Sequence, residues 1–218
     1  MQGDSIVIEP HHVKAAEGIC DLLLQQIQDT LASGARYTLT VAGESGSGKS
    51  ETAAAVAEQL EGAGIRSFIF QQDDYFVYPP KSNDRARRED ISWVGPQEVK
   101  VDLLNEHLAA FKNGADGVTK PLVIYADDAV TEEQASFDGA QVAIAEGTYC
   151  TLLESADAHV FIDRDWEQTR AHREKRRRDA SELDPFIDQV LTIEHDIISS
   201  HKSRAQVIVN QDYSVSPA

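Results

Sequence analysis

Cysteine is scarce: Cys20 and Cys150 are the only two in 218 residues, too few and too far apart to frame a disulfide-held fold. Cations are scarce as well. Twenty Lys and Arg stand against 37 Asp and Glu, a net charge of −17. That balance excludes a general nucleic-acid coat or an anionic-membrane binder, since both need a net basic surface. Any phosphate recognition must come from a local site. No apolar run approaches the roughly 18 residues of a membrane span, and Met1-Gln2-Gly3-Asp4-Ser5 lacks the basic start and apolar stretch of a signal peptide. A cytoplasmic address is expected. Internal repeats and low-complexity tracts are absent, and the seven histidines form no metal-ligand spacing with cysteine. The length suits one domain that buries roughly 70% of its unfolded surface.

What is present is an alternation of strand and helix. Ala16, Cys20, Leu23, Ile27 and Leu31 recur at three- and four-residue steps, predicting a helix over 13–31, with a short edge strand over 5–9 closed by Pro10 before it. The β-branched run 37–42 predicts a buried strand, and Ala53, Val56, Ala57 and Leu60 mark one face of a helix over 51–60. A strand over 65–70, a polar loop over 78–90 and a helix aligned by Val101, Leu104, Leu108 and Phe111 follow. Later strands are expected over 141–145, 159–163 and 206–209. Residues 165–178 read as a charged helix. Asp184-Pro185 reads as the N-cap and first turn of a last helix, whose buried face is Phe186, Val190, Ile193 and Ile197. Such alternation argues for an α/β fold on a parallel sheet, with ligands beyond the carboxyl ends of the strands.

Gly43-Glu44-Ser45-Gly46-Ser47-Gly48-Lys49-Ser50 fits G-x-x-x-x-G-K-[ST] at every fixed position. The glycines let successive N–H groups converge on phosphate oxygens, and the following helix turns its positive dipole end to the same anion. In this reading Lys49 reaches the β and γ phosphates, and Ser50 offers its hydroxyl to Mg²⁺. Three further signals bear on the γ-phosphate. Asp73, in Gln72-Asp73-Asp74-Tyr75-Phe76, ends the next strand, where a carboxylate can deprotonate an attacking hydroxyl. Glu146 closes the strand 141–145, where an acid holds Mg²⁺ or its waters. Finally, Arg170, Arg173, Lys175, Arg176, Arg177 and Arg178 put six of the 20 basic residues within nine positions, and Arg170, Arg173 and Arg177 share a helical face. On so acidic a chain, this concentration favours a lid that neutralises charge on the transferring group.

These elements, in this order, resemble the uridine kinase and phosphoribulokinase family of P-loop kinases, from about Tyr37 to Tyr213. The resemblance implies a three-layer doubly wound parallel sheet of the nucleoside-monophosphate-kinase type, with an arginine-rich lid over about 165–185. Residues 1–36 would be an N-terminal extension, 37–213 the kinase domain and 214–218 a tail. It implies Asp73 as base, Glu146 and Ser50 at Mg²⁺, and Lys49, Arg170 and Arg173 in catalysis. Gly43, Ser45, Gly46, Ser47, Gly48, Lys49, Ser50, Glu51 and Arg177 would hold ATP. The acceptor would meet Asp73, Tyr75, Arg85, Arg88 and Tyr125. Uridine kinases carry a histidine after the Tyr125 segment, and this chain has none there. Asp84-Arg85-Ala86-Arg87-Arg88 resembles instead the sugar-phosphate positions of phosphoribulokinases. The partners implied are ATP and a small hydroxylated metabolite, with neither nucleic acid nor membrane. A nucleoside, a polyol and a sugar phosphate all stay open, as does a regulatory ATP switch without acceptor turnover. The helix before the phosphate loop either covers the sheet or makes the contact of a homodimer.

Overall fold

The computed structural model describes residues 6–169 and 184–218. Its strands are β1 Tyr37–Gly43, β2 Ser67–Gln71, β3 Gly117–Ile124, β4 Ala129–Ser136, β5 Val142–Glu146, β6 Ala158–Ile162, β7 Val207–Val209 and β8 Val215–Pro217. Its α-helices are α1 Pro10–Ala32, α2 Lys49–Gly62, α3 Pro80–Glu89, α4 Val101–Lys112 and α5 Pro185–Ser199. Among the described residues, six strands form one sheet in the order β2-β5-β1-β6-β7-β8, and β3 and β4 form a separate pair. Neighbours in the large sheet run parallel, except the β7–β8 pair.

Side-chain alternation divides the core between two faces of this sheet. Leu39, Val41, Val142, Ile144, Val160 and Ile162 point to the face covered by α1 and α2. Ala42, Ala143, Ala145 and Phe161 point to the other, with Leu104, Leu108 and Phe111 of α4 and Ile198 of α5. A parallel sheet buried on both sides needs apolar residues at odd and even positions alike, which these strands have. The result is the expected α/β fold of helix, sheet and helix layers. The N-terminal helix covers the sheet, burying Ala15, Ala16, Ile19, Leu23 and Ile27. Among the described residues, no helix is long and apolar enough to cross a membrane.

Four expectations are corrected. Ile6–Glu9 form no strand: Pro10 opens α1 at its first turn, and Glu9 and His12 close a capping box around that start. The segment expected as polar loop carries α3. This helix has no apolar stripe, and its first-turn amides are capped from afar by Asp128, whose carboxylate accepts from Lys81 N at 2.7 Å, Ser82 N at 3.3 Å and Ser82 Oγ at 2.7 Å. The expected tail supplies β8, whose Val215 lies opposite Val209. On α5 the buried residues are Val190, Leu191, Glu194 and Ile198, so the face is turned from the one expected, because Glu194 is drawn inward to Arg87. The β3–β4 hairpin has no counterpart in the sequence reading. Residues 166–169 form a turn, and the rest of the charged helix expected over 165–178 lies outside the described residues.

The distant cap yields a prediction. Asp128→Ala should destabilise the protein by about 1–2 kcal/mol in chemical denaturation, and Asp128→Asn by less than half of that. Asn keeps an acceptor and tolerates the left-handed backbone (φ 47) at this turn.

Candidate active site

Register builds the site. Glu146 lies opposite Val41 on one side and Gln71 on the other, so β1, β2 and β5 reach the edge of the sheet at one level. Beyond that edge come the phosphate loop after β1, a 3₁₀ turn at Gln72–Tyr75 after β2, and Gly147 after β5. The loop curls through positive φ at Gly43, Gly46 and Gly48, and α2 begins at Lys49 with no side-chain cap. Uncapped helix amides are a ready anion site. Ser47 Oγ is buried there with no hydrogen-bond partner, so the cradle fits a phosphate-bearing ligand.

Around the cradle the expected residues converge. Lys49 Nζ donates to the Glu44 carbonyl at 2.9 Å, and Ser50 Oγ donates to Glu146 Oε1 at 3.1 Å. Burial raises the Glu146 carboxyl to about 7, the Asp73 charge adds to the rise, and Lys49 and Ser50 oppose it. Asp73 is half-buried. Among the described residues, no group of three or more His, Cys, Asp or Glu could hold a metal ion. Ser50 and Glu146 bring a hydroxyl and a carboxylate oxygen within 3.1 Å beside the cradle, a hard-oxygen donor pair that fits Mg²⁺, which shares few protein ligands with phosphates and water. Glu51 is buried in the first turn of α2, where its charge also bears on Glu146.

Gln72 and Gly147 hold the turn that carries Asp73 against the segment that follows Glu146. The Gln72 side-chain carbonyl accepts from Tyr149 N at 2.7 Å. A Cβ on Gly147, where φ is +155, would lie 2.2 Å from Gln72 Cβ. Only glycine allows this approach. The neighbouring Asp74 faces away: its carboxylate takes Lys120 Nζ at 2.7 Å and Val123 N at 3.1 Å, which pins the β3–β4 hairpin to the 3₁₀ turn. One acid of the pair is left to the cleft and the other is structural.

The acceptor set divides. Tyr75 is fully buried in the core, with its hydroxyl 2.9 Å from His107 Nδ1, so the expected acceptor contact is withdrawn. Tyr125 is half-buried at the hairpin turn, and Arg85 is exposed on α3. Arg88 is held by Asp84 at 2.8 Å and Asp184 at 2.9 Å, above the Phe186 ring. Arg87, unassigned from sequence, is half-buried: it binds both oxygens of Glu98 and reaches Glu194 at 2.9 Å. Glu98, 0% exposed, also accepts from Asn83 at 2.8 Å and from Gly95 N at 2.9 Å. Arg170, Arg173 and Arg177 lie outside the described residues. Sequence offered a cue to Arg87 in its Arg-Arg neighbourhood, but its partners lie 11 and 107 residues away.

The chain matches the Phosphoribulokinase / Uridine kinase family over residues 38–213. It belongs to that family. Its relatives include the bifunctional alpha-galactosidase/sucrose kinase AgaSK of Mediterraneibacter gnavus, 30% identical over 192 residues, covering 83% of this chain and 20% of that protein. The match thus spans a fifth of that relative's length. The uridine kinase of Staphylococcus epidermidis is 26% identical, over 78% of this chain and 84% of the relative. Among solved structures, phosphoribulokinase from Rhodobacter spheroides superposes with a TM-score of 0.60 at 10% identity, over 80% of this chain and 70% of that one. D-glycerate 3-kinase from Cryptococcus neoformans does so at 0.58 and 12%, over 93% and 99%. At such identities these two speak for the fold. The protein is a P-loop kinase, a phosphotransferase with a hydroxyl acceptor.

A carboxylate buried beside a second acid opposes folding until a cation compensates it. In metal-free protein at pH 8, Glu146→Gln should raise unfolding stability by about 1–3 kcal/mol and weaken the Mg²⁺ dependence of nucleotide binding, measured by denaturation and calorimetry.

Proposed function

We propose that this chain transfers the γ-phosphoryl group of ATP to a hydroxyl of an uncharged small metabolite, a sugar, polyol or nucleoside. The observation that carries the reading is the grouping of Lys49, Ser50, Asp73 and Glu146 around one phosphate loop, close enough for Asp73 and Lys49 to move the proton affinity of Glu146 in opposite directions. Asp73 takes the proton of the acceptor hydroxyl while that oxygen bonds to the γ-phosphorus. The bond from this phosphorus to the β–γ bridging oxygen breaks, and ADP leaves. Lys49 follows the charge that moves onto the phosphate oxygens. Ser50 and Glu146 would hold Mg²⁺, which when bound supplies positive charge for the phosphate oxygens. Arg170, Arg173 and Arg177 are assigned from the sequence pattern to clamp the nucleotide and the transferring group.

The case for an uncharged acceptor comes from α3. A sugar phosphate needs a free guanidinium fork, and of the three α3 arginines Arg87 is engaged by Glu98 and Glu194 and Arg88 by Asp84 and Asp184, which leaves the exposed Arg85 as the single fork open on this helix. The sucrose kinase and uridine kinase among the relatives are named for uncharged acceptors, which agrees with this choice.

Asp73→Asn should lower turnover by about 10²- to 10⁴-fold and leave Mg·ATP affinity within a few-fold, measured in single-turnover assays. An unchanged rate would remove Asp73 from the chemistry. In an acceptor panel, uncharged sugars, polyols or nucleosides should be phosphorylated and their monophosphates should not. Turnover confined to a sugar phosphate would refute the acceptor assignment.

A further inference from the structure

Glu44 occupies a variable position of the phosphate loop, and a carboxylate there is an unexpected choice beside a site for a polyanion. It is 5% exposed. One carboxylate oxygen lies 2.6 Å from Nδ1 of His195 on α5, and the other accepts from Trp166 N at 2.7 Å. The same residue's main-chain carbonyl takes the Lys49 ammonium at 2.9 Å and Ser47 N at 3.2 Å. Alongside, Thr169 Oγ1 donates to the Ser45 carbonyl at 2.9 Å. Glu44 therefore joins the loop, its lysine, the segment after β6 and α5 in one hydrogen-bonded unit. A buried carboxylate at this place repels phosphate unless a cation compensates it. Among the described residues, the cation that the geometry supplies is the His195 side chain, itself 41% exposed and open to protons from solvent.

We propose that His195 is a positioning residue for the nucleotide: its imidazolium neutralises Glu44, and the phosphate loop receives ATP at full strength only while both ring nitrogens of His195 carry protons. The inference rests on ATP binding at this loop. Nδ1–H can keep its bond to Glu44 in the neutral ring as well, so the geometry survives deprotonation and the charge does not. Among the described residues, the titratable groups near His195 are Glu44 from the loop, Asp165 after β6 and Asp196 on α5. All three are acids. The bond to Glu44 and these charges hold the imidazolium above its ordinary 6.5, against the effect of burial. Burial raises the Glu44 carboxyl, while His195 and the Trp166 amide work to keep it ionised and Asp165 opposes them. The sign follows. A raised histidine is charged at low pH, so nucleotide affinity is highest below the His195 transition and falls as pH rises through it.

The test is calorimetric Mg·ATP affinity between pH 6 and 8.5 for the full chain, His195→Gln, Glu44→Gln and the double variant. Titration of ATP itself and of Glu146 is common to all four and cancels in the comparison. Between the two ends of that range, the dissociation constant of the unaltered protein should rise about tenfold more than that of His195→Gln, the equivalent of one pKa unit of linkage. In the Glu44→Gln background the histidine substitution should have less than a twofold effect at either pH. The KM for ATP should carry the change while kcat at saturating ATP does not, which a general loss of structure would not reproduce. Nuclear magnetic resonance of the unaltered protein needs no variant: Mg·ATP should raise the His195 transition by about one unit. Parallel pH profiles, an equal histidine effect without Glu44, or an unmoved His195 transition would each overturn the proposal alone. Failure of the unaltered protein to bind Mg·ATP at any pH would overturn the nucleotide reading and the proposal with it.

Discussion

The site depends on the pairing of β5 between β1 and β2. Because Glu146 sits opposite both Val41 and Gln71, residues two positions further along the flanking strands, Gly43 and Asp73, emerge at the same height. A one-residue slip of β5 would turn Glu146 to the other face of the sheet, since side chains alternate with a period of two. The approach of Gly147 to Gln72 then converts common height into fixed geometry. Thus a sheet register and one missing Cβ, rather than loop flexibility, set the distance between Asp73 and the phosphate cradle.

Helix α5 supports both sides of the cleft. Its N-cap Asp184 holds Arg88, its Glu194 holds Arg87, and its His195 holds Glu44. Two of these contacts reach α3 and one reaches the phosphate loop. Surface ion pairs such as Arg88–Asp184 contribute little energy. The buried set is different: removing one partner leaves an uncompensated charge at a cost of about 3–5 kcal/mol. Such groups fix position more than they add stability. The acid at position 194, which turns α5 away from its purely apolar face, is the means by which the helix engages α3.

What the sequence disclosed was local chemistry. The phosphate loop could be read because its glycines, lysine and serine act within eight consecutive residues, and Asp73 and Glu146 because each ends an apolar strand. Helix α3 was hidden because its cap comes from Asp128 and its charged surface has no stripe. The hairpin was hidden for a related reason: β4 reads Ala-Val-Thr-Glu-Glu-Gln-Ala-Ser, a half-solvated edge without apolar alternation. Tyr75 misled because it sits two residues from Asp73 in a 3₁₀ turn, where neighbours two apart point in different directions, one to the cleft and one to the core. Arg87 is legible only with its partners. In each case the deciding interaction crosses a long stretch of chain.

The strand order also sets when this enzyme can exist during its own synthesis. β1 and β2 are made first but do not touch each other; both wait for β5, and β1 waits also for β6. Until β5 has been made, Leu39, Val41 and Phe70 lack their central sheet partner, and the glycine-rich cradle has no floor. Long-range parallel pairing of this kind is slow and leaves apolar strands uncovered meanwhile. The strands made before β5 are therefore exposed to aggregation during that interval, and nucleotide cannot assist folding before β5 is in place.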